Sequence, residues 1–210
     1  MSGRFITFEG VEGCGKTTQI ARLERYLEGQ GYSVFVTREP GGTPLAEAIR
    51  ELLLDVAHGT MAPTTELLLY EAARAQHVAE RIRPALAAGQ VVLCDRFADS
   101  TTAYQGAGRG LHEETVVSLH HVATGGIWPD CTLLLDLAAA EGLERVRRRG
   151  GSDRIQEETL AFHERVRQGF LCLAAREPQR IRIIDAAQSI EEVAQTICSH
   201  IRTVLAPENA

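Results

Sequence analysis

The stretch Phe5-Ile6-Thr7-Phe8-Glu9-Gly10-Val11-Glu12-Gly13-Cys14-Gly15-Lys16-Thr17-Thr18 decides the fold. Phe5 to Phe8 is a short apolar run of strand-forming residues. Gly10 to Thr17 then fits G-x-x-x-x-G-K-[ST], and a helix with Ile20, Leu23 and Leu27 on one face starts near Gly15 and runs toward Gln30. By average composition, a chance match in a chain of this length is on the order of one in a hundred. The glycines let backbone N–H groups turn toward a phosphate, the lysine reaches β and γ oxygens, and the Thr17 hydroxyl suits Mg²⁺. Strand before and helix after place the positive end of a helix dipole at the anion. A plain Gly-rich turn before a helix would need none of this chemistry.

Lys16 is the only lysine; the other 21 of the 22 basic side chains are arginines. A chain that uses arginine wherever either would serve has kept a compact ammonium where a planar fork would collide with the loop. Cys14 lies inside the cradle and reads first as a small filler, with a lowered thiol pKa at a helix start as the sharper reading.

The rest of the chain bounds the answer. A length of 210 residues fits one domain spanning 1–210, and the 44% hydrophobic and 24% charged fractions are those of an ordinary soluble protein. A net charge of −6 argues against a broad nucleic-acid surface. The five cysteines are odd in number and not spaced as C-x-x-C, which argues against a disulfide framework or a zinc site. The N-terminal residues lack a signal pattern and no apolar run nears the roughly 18 residues of a membrane span, so the expectation is a cytosolic protein without membrane attachment.

Short apolar runs alternate with longer helical ones, which points to α/β with a mostly parallel sheet. Strands are expected at 33–37, 91–94, 132–135 and 181–184 besides the first, with a long helix from Pro63-Thr64 to Gly89 and a last helix from a Ser189/Glu192 capping box to about Val204. Four of the five strands end in an acid: Glu9, Asp95, Asp136 and Asp185. In open parallel sheets ligands gather at the carboxyl ends of strands, so the chemistry belongs on one edge.

Three further polar clusters lie along the chain: Thr37-Arg38-Glu39-Pro40-Gly41-Gly42; Asp95-Arg96-Phe97 with Ser100 to Gly106; and Arg145 to Asp153 with Arg154 beyond. Arg38 and Arg96, both at strand ends beside the cradle, suit an acceptor phosphate, because a guanidinium fork binds oxygen pairs. Most arginines of 145–149 read as a solvated helix face, while the neighbouring Gly150-Gly151 also suggests a mobile basic lid over 145–157.

These motifs resemble those of bacterial thymidylate kinases over nearly the whole chain. The resemblance rests on Phe8-Glu9-Gly10 with Gly15-Lys16-Thr17-Thr18, on Thr37 to Gly42, on Ala72-Ala73-Arg74-Ala75-Gln76-His77, on Asp95-Arg96-Phe97, on Ala103-Tyr104-Gln105-Gly106 and on Asp153-Arg154-Ile155. It implies a three-layer P-loop kinase fold with a five-stranded parallel sheet ordered 2-3-1-4-5, helices on both faces and a short lid. It implies ATP + dTMP → ADP + dTDP with Mg²⁺, in a homodimer packed through helices.

Carried over by residue, the resemblance implies that Gly10 to Thr18 hold the ATP phosphates and that Glu12 holds the 3′-hydroxyl of dTMP. Arg38 and Arg96 clamp its phosphate, Arg74 and Gln105 read the thymine edge, Tyr70 stacks on the ring, and Tyr104 crowds the 2′ position. Glu39, Arg50 and Thr101 line the same pocket. Arg154, helped by Arg149, reaches over the ATP phosphates, and Asp95 binds Mg²⁺ through water. Tyr70 stands where phenylalanine is usual, and Gln156 where an acid is frequent. The alternatives are another nucleoside monophosphate kinase of this fold, or a P-loop switch module, which would need no acceptor-phosphate clamp.

Overall fold

The computed structural model describes residues 3–150 and 153–206. Five parallel strands, β1 (Arg4–Glu9), β2 (Val34–Arg38), β3 (Val91–Asp95), β4 (Cys131–Asp136) and β5 (Ile181–Asp185), form one sheet in the order β2-β3-β1-β4-β5. Helices α1 (Lys16–Gly29), α2 (Pro44–Leu54), α3 (Pro63–His77), α4 (Arg83–Ala87), α5 (Ala98–Thr101), α6 (Glu113–Thr124), α7 (Ala139–Arg149), α8 (Leu160–Arg176) and α9 (Ile190–Leu205) surround it. The expected strands and the order 2-3-1-4-5 are both present.

Successive strand residues face opposite sides, and each side buries its own core. Ile6 and Phe8 of β1 join Leu23 and Leu27 of α1 and Val193, Ile197 and Ile201 of α9. Phe5, one step out of phase, packs on the other side with Val78, Ile82 and Phe97. Further along that side, Leu134 and Ile181 meet Phe162, Val166 and Phe170 of α8. The Ser189/Glu192 capping box starts α9 as the sequence indicates.

The helix expected from Pro63 to Gly89 is not uniform. α3 ends at His77, a π-helical stretch covers Val78–Ile82, and α4 follows with Pro84 in its first turn. A proline lacks the N–H its ladder position requires and its ring crowds the preceding turn, and a widened turn relieves both. A second π-helical stretch, Thr102–Gly108, continues α5. Its glycine-containing sequence carries no helical periodicity and stands out only as part of a polar cluster. The turn it forms carries Tyr104 and Gln105 into the site, a frequent use of π-bulges.

The first part of the segment 145–157 is helical. Arg145, Arg147, Arg148 and Arg149 belong to the ordered helix α7, and Arg145, Arg147 and Arg148 pair with Glu141 or Glu144 of the same helix. That agrees with the solvated-face reading for most of the run. Gly151 lies outside the described residues.

Candidate active site

The carboxyl ends of β1, β2 and β3 open onto one cleft of about 260 Å³. Its lining includes Glu12, Lys16, Arg38, Arg74, Arg96 and Gln105. Size does not single it out, since a groove between α1 and α9 lined by Gln19, Arg22, Tyr26 and Cys198 is larger, at about 450 Å³. Convergent charge does.

The cradle starts where β1 ends. Gly13 has φ 71°, and a Cβ there would run into the Gly142 carbonyl. Only glycine combines that left-handed backbone with so close an approach. Gly142 returns the constraint, because its own Cβ would meet the Glu12 carbonyl. α7 is therefore seated directly on the loop. The Lys16 Nζ donates to the Gly10 and Val11 carbonyls, each at 3.2 Å, and to Cys14 Sγ at 3.5 Å. Thr17 Oγ1, in the first turn of α1, donates at 3.3 Å to Asp95 Oδ2 at the end of β3.

Arg96 is the only non-glycine described residue with positive φ, 71°. A left-handed arginine is a strained backbone, and such strain persists where surrounding contacts over-determine it. Here they do. The Arg96 amide donates to the Phe8 carbonyl at 2.9 Å. Its Nη1 donates to the Gly10 carbonyl at 3.0 Å and to Ser100 Oγ at 3.1 Å. Its Nη2 reaches Glu12 Oε1 at 3.0 Å, and its guanidinium lies 5.0 Å from the Tyr104 ring centroid. Tyr104 also donates to Glu12 Oε1, at 2.6 Å, and His163 Nδ1 stands 3.3 Å from Glu12 Oε2. Burial alone would raise the Glu12 carboxyl, but the Arg96 charge, His163 and Lys16 bring it down to about 2.

Behind Arg96 lies Glu9, fully buried, accepting from the Phe97 amide at 2.7 Å and from Ser100 Oγ at 2.5 Å. Burial and the charge of Asp99 push its carboxyl up to about 8.

Arg74 is 2% exposed and committed on three sides. Its Nε donates to Glu39 at 2.8 Å, Nη1 to Glu71 at 2.6 Å and Nη2 to Thr101 at 3.0 Å. Glu39 is steadied by His77, itself 2.7 Å from the Thr37 hydroxyl, and Glu71 by His120. Arg38 reaches Glu47 at 2.8 Å, and Glu47 also accepts from the Gly42 amide. Arg50 donates to the Pro40 carbonyl at 2.8 Å. Tyr70 lines the cleft, and burial, with the charge of Glu66, raises its phenol pKa.

The fold thus brings together Glu12, Lys16, Thr17, Arg38, Glu39, Arg50, Tyr70, Arg74, Asp95, Arg96, Thr101, Tyr104, Gln105 and Arg149 around one cleft. Arg154 is placed elsewhere. It is 6% exposed, with Nε donating to the Leu53 carbonyl at 2.8 Å and Nη1 on Glu66 at 2.6 Å. Close to Gln156, the acid Glu158 pairs with Arg109.

The sequence reading missed the carboxylates that orient these groups: Glu47, Glu66 and Glu71. Glu66 carries a signal, a lone acid one turn before Tyr70 on the otherwise apolar run Glu66-Leu67-Leu68-Leu69. Glu71 has one in its i,i+3 relation to Arg74.

The thymidylate kinase family model matches residues 8–197. A thymidylate kinase of Geobacter sulfurreducens is 55% identical over 201 residues, 93% of this chain and 94% of that protein. One of Pseudomonas putida is 55% identical over 197 residues, covering 94% of each. The crystal structure of thymidylate kinase from Ehrlichia chaffeensis superposes with a TM-score of 0.78 at 34% identity, covering 96% of this chain and 99% of that one.

Proposed function

The chain belongs to the thymidylate kinase family, and from that premise we propose how its own residues divide the work. The reaction is phosphoryl transfer from ATP to dTMP, giving dTDP and ADP. An oxygen of the dTMP phosphate attacks the γ-phosphorus, the bond to the β–γ bridging oxygen breaks, and ADP leaves with that electron pair. The acceptor phosphate is already a nucleophile, so no general base is required and catalysis is positioning plus charge stabilisation.

The observation that carries the assignment is the pairing, in one cleft, of a P-loop with arginines held open by carboxylates. Gly10 to Thr18 cradle the triphosphate, with Lys16 released from its own loop carbonyls onto the β and γ oxygens. Arg38 and Arg96 hold the acceptor phosphate, and Glu12, ionised and fixed by Arg96 and Tyr104, accepts from the sugar 3′-hydroxyl. Arg74 and Gln105 face the base, Tyr70 covers it, and Glu39, Arg50 and Thr101 complete the wall. Arg149 lies on the cleft side of α7. Arg154 joins the triphosphate only after leaving Glu66.

Thr17 and Asp95 offer a hydroxyl and a carboxylate 3.3 Å apart, hard oxygen donors that fit Mg²⁺. No group of three or more His, Cys, Asp or Glu gathers for a metal among the described residues, which suits an ion that takes its other ligands from phosphates and water. Bound there, Mg²⁺ neutralises charge on the triphosphate.

Exposed Leu45 and Leu52 of α2, Leu68 of α3 and Val117 of α6 support a homodimer through these helices. Light scattering should then give about twice the 22.9 kDa chain mass. No described helix is long and apolar enough to cross a membrane, and we place the enzyme in the cytoplasm.

The test is ADP release across dTMP, dUMP, dCMP, dGMP and AMP. We expect dTMP first, dUMP lower by roughly 10–200-fold for its missing methyl, and the others near background. ATP consumption that no monophosphate stimulates would return the switch-module reading.

A further inference from the structure

Glu66 is fully buried on α3, and three hydrogen bonds and an ion pair converge on its two oxygens. Gln105 Nε2 donates to Oε1 at 2.8 Å, and Arg109 Nε to the same oxygen at 3.1 Å. Arg109 Nη2 lies 3.0 Å from Oε2 and Arg154 Nη1 2.6 Å from it. Burial would raise this carboxyl, but the hydrogen bonds from Arg109 and Gln105 hold it below the usual range. Glu66 is therefore an ionised carboxylate, an acceptor and nothing else.

That property fixes its neighbour. An amide can turn either end toward a ligand, since its oxygen and nitrogen are nearly the same size. Gln105 is 1% exposed and lines the cleft. Facing a carboxylate, it must present Nε2 to Glu66, which leaves Oε1 for the cleft. Oε1 has no hydrogen-bond partner among the described residues.

We propose that Glu66 is a specificity-determining positioning residue: by holding the Gln105 amide nitrogen it leaves a carbonyl that accepts from a pyrimidine bearing N3–H and repels one whose N3 is a bare lone pair. This rests on the reading that Gln105 faces the base of the acceptor nucleotide. Turning the amide to suit cytosine would set Gln105 Oε1 against the Glu66 carboxylate, two acceptors with no proton between them in a buried site. Discrimination against dCMP is thus built into a residue that lies behind the one touching the base.

Glu66→Gln tests it. A glutamine at 66 can donate or accept, so the Gln105 amide becomes free to turn. The ratio of kcat/KM for dTMP over dCMP should fall about ten-fold or more, because a site loses rejection once its polar group can adapt. In a Gln105→Ala background the same substitution should move that ratio less than about two-fold. An unmoved ratio in the single variant overturns the proposal, as does an equal fall in both backgrounds, since Glu66 would then act through its arginines or packing.

Wild-type enzyme that fails to phosphorylate dTMP would sink the underlying reading of the site. Good dTMP turnover with an unmoved ratio sinks Glu66 alone. If circular dichroism shows that Glu66→Gln does not fold, the wild type supplies the answer by NMR. A scalar coupling across the hydrogen bond from Gln105 Nε2 to the Glu66 carboxyl carbon supports the proposal, and its absence with both signals assigned overturns it.

Discussion

The donor cradle and the acceptor pocket share one sheet edge and are built by opposite means. The cradle is consecutive sequence, Gly10 to Thr17, and Lys16 is satisfied by carbonyls of its own loop. The pocket is drawn from the ends of β2 and β3, from α3 and from the π-helical turn, and its key side chains rest on acids that, Glu71 apart, come from other elements. Glu12 stands behind Arg96, Glu47 behind Arg38, Glu39 and Glu71 behind Arg74, and Glu66 behind Gln105. A phosphate presents the same oxygens in every nucleotide, so local backbone can hold it. A base has to be told from other bases, and that needs side chains whose orientation only distant partners can fix.

Lys16→Ala should have the largest effect. It removes the one compact charge on the donor side, and kcat should fall by about 10³-fold or more. Lys16→Arg should not restore it, because a planar fork does not fit the space a point charge occupies. Steady-state kinetics of both variants checks this, and substantial activity in Lys16→Arg would show that any positive charge serves.

Arg96→Ala comes next and attacks the other side. It should lower kcat/KM for dTMP by about 10²–10³-fold while leaving KM for ATP within a few-fold. Equal losses toward both substrates would erase the proposed division of labour.

The same contrast explains what the sequence disclosed. The cradle and the strand order were legible because their signals are local: glycine spacing, an apolar run, an acid at the strand end. Arg38, Arg96 and Tyr104 were legible as types, through motifs beside strands. Of their supports, Glu47 and Glu66 were not, since no local pattern ties Glu47 to Arg38 or Glu66 to Gln105. The helical turn holding Tyr104 and Gln105 was hidden for another reason. A π-helical stretch obeys neither the 3.6 nor the 2.0 period on which such readings depend. Arg154 shows the limit from the other side, its motif being plain while its contacts to Leu53 and Glu66 are purely tertiary.

A third, smaller test concerns the buried acids themselves, through Glu9. Its carboxyl titrates near 4.5 when free and is raised to about 8 by burial and Asp99. Between these values the native protein holds a proton that the unfolded chain has released, so stability falls as pH rises through that window. Glu12, lowered to about 2, acts oppositely, and its contribution is lost only as pH falls below the free value. Melting temperatures of the wild type should therefore decline from pH 5 to pH 8 more steeply than those of Glu9→Gln. Parallel curves would mean that Glu9 is ionised in the fold.

The smallest expected effect separates the arginines of α7 that belong to the cradle from those that do not. Arg145 and Arg149 are four residues apart and therefore share a face. Arg145 Nη1 lies 3.5 Å from the Gly13 carbonyl, and Arg149 lines the cleft. Arg147 and Arg148 are 72% and 76% exposed and lean on Glu144, away from that face. Exposed pairs of this kind contribute little, about 0–1 kcal/mol. Arg147→Ala and Arg148→Ala should each leave kcat and both KM values within about two-fold, whereas Arg149→Ala should raise KM for ATP or lower kcat by more than that. Should Arg147→Ala or Arg148→Ala match Arg149→Ala, the whole basic run would have to swing over the triphosphate during turnover, and α7 would be a moving part of the donor side rather than a fixed wall of it.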